Sequence, residues 1–84
     1  MSADWHMYVV KCADETYYTG ITTDMVRRLN EHNHTKRAAK YTRSRRPVEL
    51  IYSKGYENRS EASKAEAAFK KLTRLQKEDY IDWN

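Results

Sequence analysis

A small α+β fold is expected, one three-stranded sheet of antiparallel type flanked by helices in the order β-β-α-β-α-α. Three observations lead to it. Two aromatic and β-branched runs are joined by a short turn, capping side chains precede apolar residues at helical spacing, and 84 residues suffice for one core only. The whole chain, 1–84, therefore reads as a single domain.

Residues 6–12, His-Met-Tyr-Val-Val-Lys-Cys, have strand composition. Ala13 to Thr16 makes a tight turn and Tyr17 to Gly20 the returning arm of a hairpin. Thr22, Thr23 and Asp24 offer N-cap oxygens, and Met25, Leu29 and His32 recur at helical spacing, so 24–32 reads as a short helix stopped at Asn33. Residues 33–47 read as a basic loop closed by Pro47. Val48 to Ser53 is a third strand with apolar residues at alternate positions. Asn58 or Ser60 caps a second helix; with Asn58, Glu61 falls where a capping box needs it, and Ala62, Ala65, Phe69 and Leu72 form the apolar stripe. Thr73 followed by Gln76 repeats the box, predicting a break and a third helix from Arg74 to about Ile81.

Composition excludes several classes. The longest apolar run, Met7 to Val10, is far short of the ~20 residues that cross a bilayer, and no signal-peptide run precedes it. No membrane partner and a cytoplasmic location are expected. Cys12 is the sole cysteine, so there is no disulfide partner within the chain and no thiolate zinc site. His32 and His34, two apart, are poorly spaced for ligation from one helical face. Charge is unevenly placed: residues 1–25 carry net −3, residues 26–46 net +7, and the rest cancels. The whole excess of the +4 chain sits in Arg27, Arg28, Lys36, Arg37, Lys40, Arg43, Arg45 and Arg46, opposed there by Glu31 alone. This is the footprint of a surface that docks a polyanion, nucleic acid above all. Tyr41 within the segment and Tyr17 beside it could stack on bases.

A candidate site gathers from tyrosine, arginine and glutamate. Tyr8 and Tyr18 lie on opposite arms of the hairpin and can share a face. Gly20, on the same face as Tyr18, would leave room for a substrate backbone. Arg28 and His32, four apart, share one side of their helix, and Arg27, rotated by about 100°, faces elsewhere. Glu66 sits among Ala62, Ala65, Ala67 and Ala68, small residues that let its helix lie close to the sheet. Singly, each has a plainer explanation: strand tyrosines pack, helical arginines are solvated, and Glu66 four before Lys70 makes a surface ion pair. Only their joint spacing favours chemistry.

That spacing resembles the GIY-YIG nuclease family. The carriers are Tyr8 in Met-Tyr-Val, then Tyr18-Thr19-Gly20, Arg28 ten residues after Tyr18, His32, and Glu66 on a later helix. Tyr-Thr-Gly-Ile-Thr-Thr-Asp, Arg-Arg-Leu-Asn-Glu-His-Asn, Lys40-Tyr41-Thr42 and Arg46-Pro47-Val48-Glu49-Leu50 resemble its short stand-alone bacterial-type branch, over about residues 5–81. The first motif here reads Met-Tyr-Val, the second has Thr19 at its centre, and the only asparagine after Glu66 is Asn84. The resemblance implies phosphodiester hydrolysis of nucleic acid, DNA foremost, assisted by one divalent ion, Mg²⁺ or Mn²⁺. Glu66 would be the metal ligand, Arg28 the phosphate donor, Tyr8 or Tyr18 the base, and His32 a relay. Gly20, Arg27, Lys36, Arg37, Lys40, Tyr41, Arg43, Arg45 and Arg46 would face the substrate. A nucleic-acid-binding module of weak or no catalytic activity is the alternative.

Overall fold

In the computed structural model, which describes residues 4–83, the chain runs β1 (Trp5–Lys11), β2 (Tyr17–Thr22), α1 (Met25–His34), α2 (Lys40–Arg43), β3 (Glu49–Tyr56), α3 (Arg59–Lys70) and α4 (Arg74–Trp83). Asn84 lies outside the described residues. The expected order holds, with one addition: the basic segment is not all loop but contains the single-turn helix α2. Among the described residues no helix is long and apolar enough to cross a membrane.

The sheet order is β2-β1-β3, both pairings antiparallel. β1 is thus the central strand, and Met7, Tyr8, Val9 and Val10 are all buried. Because strand side chains alternate, the four divide between two faces. Met7 and Val9 join Tyr52 and Phe69, with Ile21, Ala65, Leu72, Tyr80 and Ile81 packed around them, which places α3 and α4 on that side. Tyr8 and Val10 join Cys12 and Val48, with Tyr18, Met25, Leu29 and Leu50, which places α1 on the other.

The alternation expected through Val48, Leu50 and Tyr52 is broken. Val9 pairs with Tyr52 but Val10 with Leu50, so Ile51 is an extra residue, a β-bulge. Val48 and Leu50 therefore serve the α1 face while Ile51 and Tyr52 turn to the other.

The helix caps are local and match their sequence signals. The Asp24 carboxylate accepts from Arg27 N–H (3.0 Å) and the Asn58 amide oxygen from Glu61 N–H (2.9 Å). At α4, Thr73 N–H donates to Gln76 Oε1 (2.9 Å) while Gln76 N–H donates to Thr73 Oγ1 (3.2 Å), a reciprocal box. Asn33 does not end α1, which continues to His34; its amide instead clamps Val48, accepting from Val48 N–H (2.7 Å) and donating to Val48 O (3.0 Å).

Candidate active site

On the α1 face the hairpin register sets Tyr8 opposite Gly20 and Val10 opposite Tyr18, so the two tyrosines are diagonal neighbours with ring centroids 6.5 Å apart. Arg28 and His32, one turn apart on α1, both reach Tyr8. The Tyr8 hydroxyl is 2.7 Å from His32 Nε2, and Arg28 Nε donates to the same oxygen at 3.4 Å.

The other imidazole nitrogen, Nδ1, lies 2.8 Å from Thr42 Oγ1, and the Thr42 hydroxyl donates to Ala39 O at 3.0 Å. The Tyr8 hydroxyl accepts from Arg28 and has His32 Nε2 as its one acceptor among the described residues, so we assign the imidazole proton to Nδ1, donating to the Thr42 oxygen. Nε2 then carries the lone pair, and Tyr8 O–H donates to it. The network therefore assigns the tautomer, and the proton of a buried phenol is aimed at a neutral imidazole. Tyr8, His32 and Thr42 are each at most 1% exposed.

Burial governs the ionisation of the pair. It pushes the Tyr8 phenol up to about 12, against the hydrogen bond and positive charge of Arg28, with the Tyr18 and Glu66 charges adding to the rise. It brings His32 down to about 4, helped next by the Arg28 charge. For Arg28, burial disfavours the charge, but hydrogen bonds with Tyr8 and Glu31 outweigh it and its pKa is raised. At neutral pH the three are thus phenol, imidazole and guanidinium.

Arg28 is held on one side only. Nη1 donates to Glu31 Oε1 (3.0 Å) and Arg37 O (2.8 Å), Nε serves Tyr8, and Nη2 has no partner among the described residues. Tyr18 is half-buried, edge-on to His32 (5.4 Å between centroids) and stacked on Tyr41 (6.0 Å), and its hydroxyl likewise lacks a partner among the described residues. A guanidinium arm and a phenol are therefore left for another molecule.

Glu66 comes from the middle of α3, which lies against β1 and β2. Its charge reaches the Tyr8 phenol, and its partner is the exposed Lys70 at 3.5 Å, an i,i+4 pair of little energetic weight in which Glu66 is half-buried. No cluster of three or more His, Cys, Asp or Glu among the described residues is arranged to hold a metal. A lone carboxylate suits a hard ion that keeps most of its waters and takes further oxygens from phosphate, as Mg²⁺ and Mn²⁺ do. It does not suit zinc, and both nitrogens of His32 are already engaged.

Three expected substrate contacts need correction. A Cβ on Gly20 would stand 2.7 Å from the Tyr8 hydroxyl oxygen and 2.9 Å from Cζ, so this glycine makes room for the phenol rather than for a substrate backbone. Arg46 donates to the carbonyls of Glu31, His32 and Thr35, a cation capping the C-terminal turn of α1. Arg45 bonds Asp14 (3.0 Å) and Tyr41 O (2.8 Å) and lies 3.9 Å over the Tyr41 ring. Those guanidinia are structural because the folded segment supplies them with oxygens. Lys36, Arg37, Lys40, Tyr41 and Arg43 are exposed, and Arg27 stands with its side chain 57% exposed, loosely paired to Glu31. Thr42, which accepts from the histidine, was not singled out from the sequence except as the last letter of Lys40-Tyr41-Thr42; a hydroxyl ten residues past a histidine carries no signal by itself.

A family model described as the GIY-YIG catalytic domain matches residues 4–79. The chain is 52% identical over 77 residues to a UPF0213 protein of Desulfotalea psychrophila, covering 92% of this chain and 70% of that relative. It is 57% identical over 74 residues to a UPF0213 protein of Listeria innocua, covering 88% and 81%. Among solved structures, the solution NMR structure of a UPF0213 protein from Bacillus halodurans superposes with TM-score 0.63 at 35% identity, over 95% of this chain and 84% of that one. A protein from E. faecalis, also solved by NMR, gives TM-score 0.64 at 54% identity, over 98% and 84%. With the hairpin tyrosines, the α1 arginine and histidine and the α3 glutamate in one fold, the chain belongs to the GIY-YIG catalytic-domain family, alongside the UPF0213 proteins.

Proposed function

We propose that this protein is a divalent-metal-dependent endonuclease that hydrolyses phosphodiester bonds in nucleic acid, with DNA as the first substrate to test. The observation that carries the reading is the directed chain from Tyr8 O–H through His32 to Thr42, with Arg28 on the same phenol oxygen. A packing tyrosine needs no such sequence of donors.

In the reaction, the Tyr8 oxygen takes a proton from the attacking water as its own proton passes to His32 Nε2. The resulting imidazolium keeps its Nδ1–H on Thr42. A phenol raised to about 12 does not ionise on its own at neutral pH, so the two transfers must be coupled. His32 is a weak base while Arg28 stands uncompensated beside it. An arriving phosphate neutralises Arg28 and makes the imidazole more basic, so the base is readied by the substrate it serves. The open Nη2 of Arg28 donates to a non-bridging phosphate oxygen, a role that suits a guanidinium fork better than a lysine. Tyr18, whose hydroxyl has no partner among the described residues, would bond the same phosphate. Glu66 would hold Mg²⁺ or Mn²⁺, which when bound supplies a Lewis acid for the phosphate and for the leaving oxygen.

The test is incubation with plasmid, single-stranded and branched DNA in Mg²⁺, Mn²⁺ or EDTA. Nicking is expected with metal, and Glu66→Gln should abolish it even in excess Mg²⁺. Cleavage retained by that variant would remove Glu66 from its role. A second reading, a binding module without turnover, is favoured by the exposed Tyr41 ring stacked on Tyr18, a pair of the kind that holds single strands. Binding without nicking under every metal condition would select it.

A further inference from the structure

A cleft of about 410 Å³ opens beside Arg28, lined by Trp5 at the start of β1, Ile21 at the end of β2, Arg27, Arg28 and Glu31 of α1, and Arg59 of α3. Its size falls in the range of small-ligand sites. Three guanidinia face one carboxylate. Glu31 is already shared between Arg27 (4.0 Å) and Arg28 (3.0 Å), and Arg59 has no carboxylate partner among the described residues. The Arg59 guanidinium stands 5.7 Å from the centroid of the Trp5 ring, near the outer limit of a cation–π contact, so an anion can draw it away without breaking a tight stack. An unneutralised cleft with an indole in its wall has the two elements that hold a nucleotide, charge for the phosphate and a ring for the base.

Position ties the cleft to the site already described. Arg28 belongs to both. Arg59 and Glu66 are seven residues apart on α3, hence on one stripe of the helix and separated by about 10 Å along its axis. A strand with its scissile phosphate between Arg28 and Glu66 would pass Arg59 next.

We propose that this cleft is a nucleotide subsite, in which Arg27 and Arg59 hold the phosphate adjoining the scissile one and the Trp5 indole stacks on its base. The inference rests on the nuclease reading for its orientation, but its binding can be measured without any cleavage. The chain has two tryptophans, and Trp83 is 87% exposed at the end of α4, so Trp83→Phe leaves Trp5 as the only indole reporter. Tetrathymidylate titrated into that variant in EDTA should quench Trp5 emission saturably. Adding Arg27→Ala and Arg59→Ala should raise the midpoint by about tenfold or more, as expected for losing charge-assisted contacts. Unchanged Trp5 emission overturns the subsite, whether labelled tetrathymidylate binds by anisotropy or fails to bind up to millimolar concentration. So does a midpoint unmoved by the two arginine changes. Quenching by a protein that cuts nothing in Mg²⁺ or Mn²⁺ keeps the subsite and discards the nuclease, and metal-dependent cutting with silent Trp5 does the reverse.

Discussion

Met7 and Tyr8 are adjacent on the central strand and equally hidden from water, yet they sit in opposite kinds of environment. On the Met7 side the partners are Val9, Tyr52, Phe69 and the apolar stripe of α3 and α4, held mainly by burial, which has no direction, with one hydrogen bond from Thr19 Oγ1 to the Met7 sulfur (3.3 Å). On the Tyr8 side the buried polar groups form a directed chain: the phenol on His32, the imidazole on Thr42, the threonine on Ala39. The first face can be repacked by side chains of similar volume with little loss. The second cannot lose one member without leaving another buried and unpaired. Undirected packing and a directed polar network thus lie on opposite sides of a single strand, separated by one residue of register.

The sharpest test pits the two neighbours against each other. Tyr8→Phe should lower the cleavage rate by ~10³-fold, within the range for loss of a positioned acid–base group. Met7→Leu should leave the rate within a few fold and change stability by less than about 1.5 kcal/mol. Equal rates for both variants in a plasmid-nicking assay would break the comparison. Arg28→Ala comes next, with a loss of ~10²-fold in rate and a native melting profile; undiminished nicking by this variant would exclude the guanidinium.

Acid should separate the faces as well. Because His32 is held down to about 4 from an ordinary 6.5, the unfolded chain takes up a proton between those values while the folded chain does not. Stability from this group is complete above pH 6.5 and is lost as pH falls toward 4, by on the order of 3 kcal/mol. Urea melts from pH 7 to 4 should show that slope in the parent and in Met7→Leu, and His32→Gln should flatten it. A parent whose stability is level across the window would contradict the buried neutral imidazole.

The smallest effect concerns the arginines of the basic segment. Neutralising Lys36, Arg37, Lys40 and Arg43 together should reduce the salt dependence of DNA binding by up to about three in log–log slope. Arg46→Ala should leave that slope alone and cost roughly 1–2 kcal/mol of stability, because it strips the carbonyls at the end of α1 of their donor. A salt slope that follows Arg46 and ignores the other four would reverse the assignment.

What could be read from the residues alone has a common range. The Asn58–Glu61 and Thr73–Gln76 caps span three residues, and helix geometry dictates where such partners meet. Tyr8 against Tyr18 needed only the hairpin turn, and Arg28 with His32 only the helical repeat. The family was legible through motifs that keep this spacing, and the proposed site, down to Glu66, follows from that resemblance. What lay beyond reading was which polar group ends against which. Thr42 reaches His32 only because residues 40–43 coil into one helical turn, and Arg46 meets the end of α1 only because the segment folds back on it. The bulge at Ile51 and the purpose of Gly20 belong with these, since both depend on strands laid side by side.

By itself, then, the order of residues determined the strands and the helices with their caps, because these follow from periodicity and from bonds closed within a few residues, and the motifs it carries named the family. Tertiary structure alone decided which guanidinia are consumed inside the protein and which remain open, and which nitrogen of His32 faces Tyr8. A guanidinium has the same charge wherever it stands in the chain; only the oxygens that folding brings beside it determine whether it is free for another molecule.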